Sequence, residues 1–273
     1  MSSAETVVIT GSTSGIGKAI ALRYARDGAN VIISGRNGER GAAVANNVRE
    51  LGGQALYVPT ELSDPASIEA MAGQAAKAFG PVDILVNAGG ILQSGKAVLE
   101  QTLEEHQALW DVNYLGTLLA CQVFGRAMKE HGKGAIMNIG SLASLAPLSL
   151  PAYTPGKAAV WSLTQILAAE LGPFGIRVNA VAPGYTLSDG LREKIRLGQR
   201  DPEAIKETTA LRAFVKPEDV AEAVHFLCSG MATSITGVML PIDAGWLVHA
   251  PYASYKQGNP IRPLDKRSLQ GNG

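Results

Sequence analysis

Short apolar runs rich in β-branched residues alternate with longer helical patterns along most of this 273-residue chain. Seven such runs are predicted strands, at residues 6–10, 30–34, 54–58, 82–87, 134–140, 176–182 and 237–242. The intervening patterns predict helices near 15–28, 38–51, 65–79, 102–131, 152–172 and 217–229. Strands that are apolar on both faces and alternate with helices indicate a parallel sheet covered on each side. The sequence therefore predicts an α/β fold, with one doubly wound parallel sheet.

No Pro/Gly/Ser-rich linker, internal repeat or charge block divides the chain, so we predict one domain over residues 1–249. Two segments interrupt the alternation: the polar stretch 185–212 and a tail, 250–273, that is not a domain of its own. The tail either extends into solvent or docks on a neighbouring subunit. Its prolines stiffen it, which favours docking.

The charges balance, with 24 Lys+Arg against 24 Asp+Glu. No net field therefore favours nucleic acid or an acidic membrane, and we expect neither as a partner. No apolar run approaches a membrane span, and the first residues have no basic leader pattern. Cys121 and Cys228 lie in apolar helical patterns without metal-ligand spacing. We therefore expect core thiols, no metal and a cytoplasmic location.

The stretch "TGSTSGIG", residues 10–17, directly follows the first predicted strand. Its glycines, Gly11, Gly15 and Gly17, allow a tight turn and a close approach of the backbone to a ligand. The helix that begins there offers N–H groups and a positive dipole end to a pyrophosphate. A strand, a glycine turn and an amphipathic helix in this order predict a dinucleotide site.

The end of the second strand, "ISGRN" at 33–37, bears on the choice of dinucleotide. A carboxylate in this region would bind the 2′-hydroxyl of NAD. This chain instead has Gly35 followed by Arg36. A guanidinium can pair with a 2′-phosphate, so we predict NADP, with NAD as the alternative. Arg36 could also be a solvated residue of a turn.

In "YTPGK", Tyr153 and Lys157 stand one helical turn apart among small residues. A phenol with its ordinary pKa near ~10 is a poor proton donor at neutral pH. A lysine ammonium one turn away would lower that pKa. Pro155 is tolerated only in the first turn of a helix, which places Tyr153 at the helix start.

With "NAG" (87–89), "NYLG" (113–116), Ser141, "VNAVAPG" (178–184) and "ITGVMLPIDAGW" (235–246), these motifs resemble the short-chain dehydrogenase/reductase family across about residues 5–246. The resemblance is to its shorter, non-extended members. It implies a Rossmann fold, a nicotinamide cofactor and reversible hydride transfer between a secondary alcohol and a ketone.

The resemblance also implies roles for single residues. Tyr153 would be the general acid/base, and Lys157 would lower its pKa and hold the nicotinamide ribose. Ser141 would polarise the substrate oxygen, and Asn113 would hold a water that links Lys157 to solvent. The cofactor-binding set would be Gly11, Ser12, Ser14, Gly15, Ile16, Gly17, Arg36, Glu61, Leu62, Asn87, Ala88, Gly89, Tyr153, Lys157, Pro183, Gly184 and Thr186.

The chain departs from the family pattern in more than one place. "YTPGK" has a proline and a glycine where the family often has small helix formers, which spares both chemical groups, and the tail lies outside the resemblance. Glu61 replaces an aspartate that reaches the adenine amine in many relatives, which leaves that contact open.

The sequence says less about the identity of the substrate than about the reaction type. Faint similarities to sugar-acid and polyol oxidoreductases favour those substrates, and a 3-oxoacyl thioester reductase is the alternative. We expect segments 142–150 and 185–212 to line the substrate pocket, with the tail 250–273 as a further candidate. A third hypothesis is a non-catalytic nucleotide sensor. The intact Ser–Tyr–Lys set argues against it. Apolar outer faces on helices 102–131 and 152–172, together with the resemblance, predict a homotetramer or a homodimer.

Overall fold

Seven parallel strands form one sheet in the computed structural model, which describes residues 4–93 and 95–249. The strands are β1 (Thr6–Thr10), β2 (Asn30–Gly35), β3 (Gln54–Pro59), β4 (Ile84–Asn87), β5 (Gly134–Ile139), β6 (Ile176–Pro183) and β7 (Met239–Ile242). Their order across the sheet is β3-β2-β1-β4-β5-β6-β7. The predicted doubly wound fold is confirmed. The tail 250–273 lies outside the described residues.

Helices cover both faces of this sheet. They are α1 (Gly15–Ala25), α2 (Gly38–Glu50), α3 (Pro65–Phe79), α4 (Leu103–Trp110), α5 (Gly116–His131), α6 (Tyr153–Leu171), α7 (Asp189–Arg196), α8 (Pro202–Glu207) and α9 (Pro217–Cys228). The polar stretch 185–212 thus contains two short helices, α7 and α8. Within the described ranges, no helix combines the length and the apolar character that a bilayer crossing requires.

The two faces of the sheet carry two separate hydrophobic cores. Successive residues of a strand point to opposite faces, so Val7 and Ile9 join the core under α1, α2 and α9, whereas Val8 joins the core under α3, α5 and α6. Cys228 lies in the first core and Cys121 in the second. Both thiols are free, and burial raises the pKa of each to about 12. They are core residues, as the sequence predicts.

The predicted helix 102–131 contains a wider turn in its middle. Helices α4 and α5 are joined by a π-helical turn at Asp111–Leu115, in which Gly116 N–H donates to the Asp111 carbonyl. The backbone is right-handed helical on both sides, so the helix is continuous across this turn. Such single π turns occur often at functional sites. Asn113 is buried at this one.

The carboxyl ends of β1 and β4 form the switch point of the sheet, because β2 and β3 lie on one side of them and β5 to β7 on the other. In open α/β sheets, ligands bind in the crevice at this point. The Thr10 hydroxyl accepts hydrogen bonds from the N–H groups of Ala88 and Gly89, both at 3.1 Å, and so ties the two strand ends together.

Candidate active site

The glycine turn lies directly over this crevice and is packed too closely for side chains. A Cβ on Gly11, whose φ is +64°, would lie 2.4 Å from Gly89 Cα. A Cβ on Gly17 would lie 2.6 Å from the Gly11 carbonyl oxygen. Ser14, the N-cap of α1, forms no side-chain capping bond within the described residues. The first N–H groups of α1 are therefore available to an anionic ligand.

A cavity of about 700 Å³ extends from this turn along the carboxyl ends of the first strands. The predicted cofactor residues that line it are Gly11, Ser14, Gly15, Ile16, Gly17, Arg36, Glu61, Leu62, Ala88, Gly89 and Thr186. A cradle of bare backbone at a helix N-terminus, continued by an elongated groove, fits the pyrophosphate and adenosine of a dinucleotide. The segment 188–190, before and within α7, forms part of the opposite wall.

The end of the groove that would hold the adenosine, called the adenosine end below, is lined by Arg36, Arg40 and Glu61. These residues determine its charge. Arg36 lies 3.6 Å from Glu61, and both side chains are partly exposed. Glu61 also accepts hydrogen bonds from the N–H and hydroxyl of Ser63. The resemblance implied a contact with the adenine amine at position 61. In this structure the Glu61 carboxylate pairs with Arg36. Two further residues line the same end of the groove and were not predicted: Thr13 and Arg40, which lies in the first turn of α2.

Gly35 has a backbone conformation in which a residue with a side chain would be strained. Its φ is +155°, and a Cβ there would lie 2.8 Å from Thr13 Cγ2. The Tyr57 hydroxyl donates to the Gly35 carbonyl at 2.8 Å, which holds this conformation. A carboxylate at position 35 would require Thr13 to move.

Two residues of the predicted cofactor-binding set have side chains that are hydrogen-bonded within the protein. Ser12 is fully buried, and its hydroxyl donates to the Ile9 carbonyl and accepts from Ser34 N–H, so it joins β1 to β2. Asn87 is also buried, with its amide nitrogen 2.9 Å from Asn138 Oδ1. Neither lines the groove, because these bonds direct both side chains into the interior.

Asn87 begins a chain of buried polar groups beneath the site. Asn138 in turn donates to the Thr164 hydroxyl at 2.9 Å, and that hydroxyl donates to the Val160 carbonyl. The chain connects β4, β5 and α6. It fixes the helix that carries Tyr153 relative to the strands that end at the groove. Asn138 was missed, although a lone polar residue in the apolar run "GAIMNIG" is a signal.

Four more residues of the predicted cofactor set are not among those that line the groove: Tyr153, Lys157, Pro183 and Gly184. Their contact with the cofactor stays a prediction. Gly184 N–H donates to the Ile242 carbonyl at 2.9 Å, and a Cβ on Gly184 would lie 2.8 Å from Asp243 Cα. The end of β6 is therefore pressed against β7. Thr186, two residues later, reaches the groove wall.

Helix α6 begins at Tyr153 and has Pro155 as its third residue, in the first turn as predicted. Its N-cap, Ala152, cannot cap the helix with a side chain. The amide oxygen of Gln93 does so instead, accepting from the N–H groups of both Ala152 and Tyr153 at 2.9 Å. Gln93 directly follows Leu92 of the groove wall, so this contact places the start of α6 beside the groove.

Lys157 is buried one turn further into α6. Its Nζ donates to the Ile139 carbonyl at 2.7 Å and lies 5.7 Å from the centre of the Tyr153 ring. Burial lowers the pKa of this lysine to about 8. An ammonium has three donors. The donors of Nζ not used by Ile139 have no hydrogen-bond partner in the described part of the chain and remain available to a ligand.

The pKa of Tyr153 is raised from its ordinary value by burial, and a contact with the Ser141 hydroxyl acts in the opposite direction. Lys157 is not among the groups that shift this pKa, and the predicted lowering by that lysine is not found. The phenol is therefore protonated at neutral pH, which is the form that a general acid needs. Ser141, just beyond β5, accepts from Ala143 N–H at 3.1 Å, and its hydroxyl hydrogen can still be donated.

Asn113 was predicted to hold a water. Its side-chain amide instead clamps the backbone of Ile91, accepting from the N–H at 2.8 Å and donating to the carbonyl at 2.9 Å. The π turn thus supports the groove wall at residues 90–92. One N–H of this amide and one lone pair of its oxygen are not used by Ile91, so the predicted water stays a prediction.

The family model described as enoyl-(acyl carrier protein) reductase matches residues 11–247. L-rhamnose 1-dehydrogenase (NAD(P)(+)) of Azotobacter vinelandii is 36% identical over 252 residues, which cover 90% of this chain and 97% of that protein. This chain belongs to the short-chain dehydrogenase/reductase family.

Other members of this short-chain dehydrogenase/reductase family are similarly close. D-threitol dehydrogenase of Mycolicibacterium smegmatis is 36% identical over 245 residues, covering 89% of this chain and 93% of that protein. The crystal structure of an actinorhodin polyketide ketoreductase variant with NADPH has a TM-score of 0.84 and 29% identity, covering 89% and 97% of the two chains. The protein is an oxidoreductase of this family, and its groove fits NAD(P).

Proposed function

We propose that this protein transfers a hydride reversibly between NADP(H) and a secondary alcohol or ketone, with a sugar acid or a polyol as substrate. One observation carries the proposal: Tyr153, Lys157 and Ser141 converge where α6 and β5 meet, beside a dinucleotide-sized groove. The bound nicotinamide supplies or accepts the hydride.

The side chains divide the remaining work. The protonated Tyr153 phenol donates its proton to the oxygen of a ketone during reduction, and takes it back during oxidation. The Ser141 hydroxyl donates a hydrogen bond to the same oxygen and stabilises the charge that develops there. Lys157, held by Ile139, directs its remaining donors to a ribose and places a positive charge near the phenol. Asn113 keeps the groove wall in place through Ile91.

The adenosine end of the groove favours NADP. Arg36, Arg40 and Thr13 lie together there and supply two guanidinium groups and a hydroxyl, the donors that a 2′-phosphate needs. The crowding and strain at Gly35 speak against a carboxylate for the ribose of NAD. Glu61 opposes this preference, because it pairs with Arg36 and would repel a phosphate.

Substitutions at this ion pair should change cofactor affinity in opposite directions. We expect Arg36→Ala to weaken NADPH binding by about tenfold or more, since a charged hydrogen bond is worth roughly 1.5–3 kcal/mol. We expect Glu61→Gln to strengthen it, since Arg36 is then released to the phosphate. Fluorescence titration with NADPH and with NADH measures both effects, and the affinity for NADH should change little.

Arg26→Ala, at an exposed arginine just after α1, is the matched control and should leave both affinities unchanged. Tighter binding of NADH than of NADPH by the wild-type protein would show that the assignment of Arg36 is wrong.

Similarity supports the proposed substrate class. L-rhamnose 1-dehydrogenase and D-threitol dehydrogenase act, by their names, on a sugar and a polyol. The polyketide ketoreductase and the description of the family model favour the alternative, a 3-oxoacyl thioester reductase. Turnover with sugar acids, polyols, cyclic ketones and 3-oxoacyl thioesters, each with NADP(H) and NAD(H), tests the proposal. Cofactor binding without turnover of any of these compounds would favour the nucleotide sensor.

We also propose a homotetramer, or a homodimer, in the cytoplasm. Ile166 on α6 is 51% exposed, and Val238 and Leu240 at the edge strand β7 are 38% and 39% exposed. Apolar residues on an outer helix and at a sheet edge are typical of subunit contacts. Two buried thiols suit a reducing compartment. Sedimentation velocity tests the assembly, and a monomer at micromolar concentration would contradict it.

A further inference from the structure

Gln93 contacts the start of α6 in a way that fixes the orientation of its amide. Both groups that face it, the N–H groups of Ala152 and Tyr153, are donors, and both lie 2.9 Å from one amide atom. That atom must therefore be the oxygen. Tyr153 is the first residue of α6, so the Gln93 oxygen satisfies N–H groups that helix geometry leaves without partners.

The other end of the same amide is unsatisfied. Gln93 Nε2 is buried and has no hydrogen-bond partner in residues 4–93 and 95–249. A buried amide donor without a partner is unfavourable, and where one occurs in a folded protein it calls for an explanation. This donor belongs to the residue that holds Tyr153 and follows the groove wall at Leu92. The Gln93 amide thus joins the groove wall to the main chain of the residue whose phenol is proposed to protonate the substrate.

We propose that Gln93 positions Tyr153 through its amide oxygen and selects the substrate through its amide nitrogen. Because an amide N–H only donates, it pairs with an acceptor oxygen of the substrate, next to the reacting carbon. The substrate class is then a vicinal diol, a hydroxyketone or a 2-hydroxy acid, rather than a monofunctional alcohol. This inference rests on the proposed hydride transfer and narrows its substrate.

Two variants separate the two roles. In Gln93→Glu, the carboxylate still accepts both N–H groups, but it has no donor for the substrate. In Gln93→Met, a side chain of similar length has neither function. Gln165→Met, at an exposed glutamine of α6, is the matched control.

The selection role is measured with the best polyol of the substrate panel and its analogue that lacks the hydroxyl next to the oxidised carbon. We expect Gln93→Glu to reduce the ratio of the two kcat/KM values, diol over analogue, by about tenfold or more, because a site built to bond a hydroxyl rejects the analogue without it. Any effect of the new carboxylate on Tyr153 itself is common to both substrates and cancels in the ratio. An unchanged ratio, or a best substrate without a neighbouring oxygen, would overturn the selection role.

The positioning role is measured without turnover. Hydrogen exchange of a peptide spanning residues 150–155 should be about tenfold faster in Gln93→Met than in the wild type, and unchanged in Gln93→Glu and Gln165→Met. Equal exchange in all four proteins would overturn the positioning role. A wild-type protein that turns over no compound of the panel would instead reject the proposed hydride transfer, so the two failures are distinguishable.

Discussion

Replacing Tyr153 by phenylalanine is expected to lower kcat by about 10²–10⁴-fold, the usual contribution of general acid–base catalysis. The substitution removes one hydroxyl and keeps the ring, so the packing of α6 is preserved. It also leaves the Tyr153 N–H, and with it the bond from Gln93, unchanged. The affinity for NADPH should stay within about twofold, because the groove is lined by other residues. Steady-state turnover and a fluorescence titration of the cofactor provide the two measurements.

Tyr24→Phe is the matched control for this substitution. Tyr24 is buried in α1 against His225, and its hydroxyl contacts only the weakly hydrogen-bonding thiol of Cys228 in the part of the chain that the structure describes. Its removal should leave kcat unchanged. Turnover of Tyr153→Phe above about a tenth of the wild-type value, with hydride transfer rate-limiting, would show that another group supplies the proton.

The second large effect concerns the pH dependence of stability. Lys157 has a pKa of about 8 in the folded protein, against 10.5 in the unfolded chain, because burial disfavours its charged form. Below pH 8 the lysine is charged in both states, and its burial costs about 3 kcal/mol of folding free energy. Between pH 8 and 10.5 the unfolded chain keeps the proton and the folded protein loses it. This contribution therefore makes the folded protein more stable as the pH rises through this range.

Lys157→Met removes that titration. We expect the free energy of unfolding of the wild type, minus that of the variant, to rise by about 3 kcal/mol between pH 8 and 10.5. Urea unfolding at a series of pH values measures this difference, in which the other titrating groups cancel. Lys77→Met, at an exposed lysine of α3, should show no such slope. A flat difference for Lys157→Met would mean that Lys157 keeps its ordinary pKa.

The elements of the fold were predictable from the sequence to within a few residues, because central strands buried on both faces leave an unambiguous apolar signal. The strands β1 and β4 are buried at every position. The π turn at 111–115 was not predictable, since one additional residue in a helical turn changes neither the composition nor the apolar spacing enough to be seen. Helices α7 and α8 were missed for a different reason. They are short and mostly exposed, so the stretch 185–212 lacks a strong apolar face.

The candidate site also has features that were predictable from the sequence and features that were not. The places of Tyr153 and Lys157 at the start of α6, and of the glycine turn before α1, were predictable because they depend on local spacing along the chain. Gln93 was not, because its contact with Tyr153 joins residues 60 positions apart. The pairing of Arg36 with Glu61 also depends on the adjacency of β2 and β3, which no local motif encodes. The inward direction of the Ser12 and Asn87 side chains was not predictable either, because motif membership does not reveal which way a side chain points.

The chain of buried amides under the site has an evolutionary consequence. Asn138 accepts from Asn87 and donates to Thr164, so an apolar replacement of Asn138 alone removes one hydrogen bond from each neighbour. Asn87 is then left with the weak acceptor Cys121, and Thr164 with the Val160 carbonyl. Once that first change is made, replacing Asn87 and Thr164 costs little more. The three positions are therefore epistatic: the effect on stability of a substitution at one of them depends on the residues at the other two. Sequences that descend from this one should retain all three residues or replace them together.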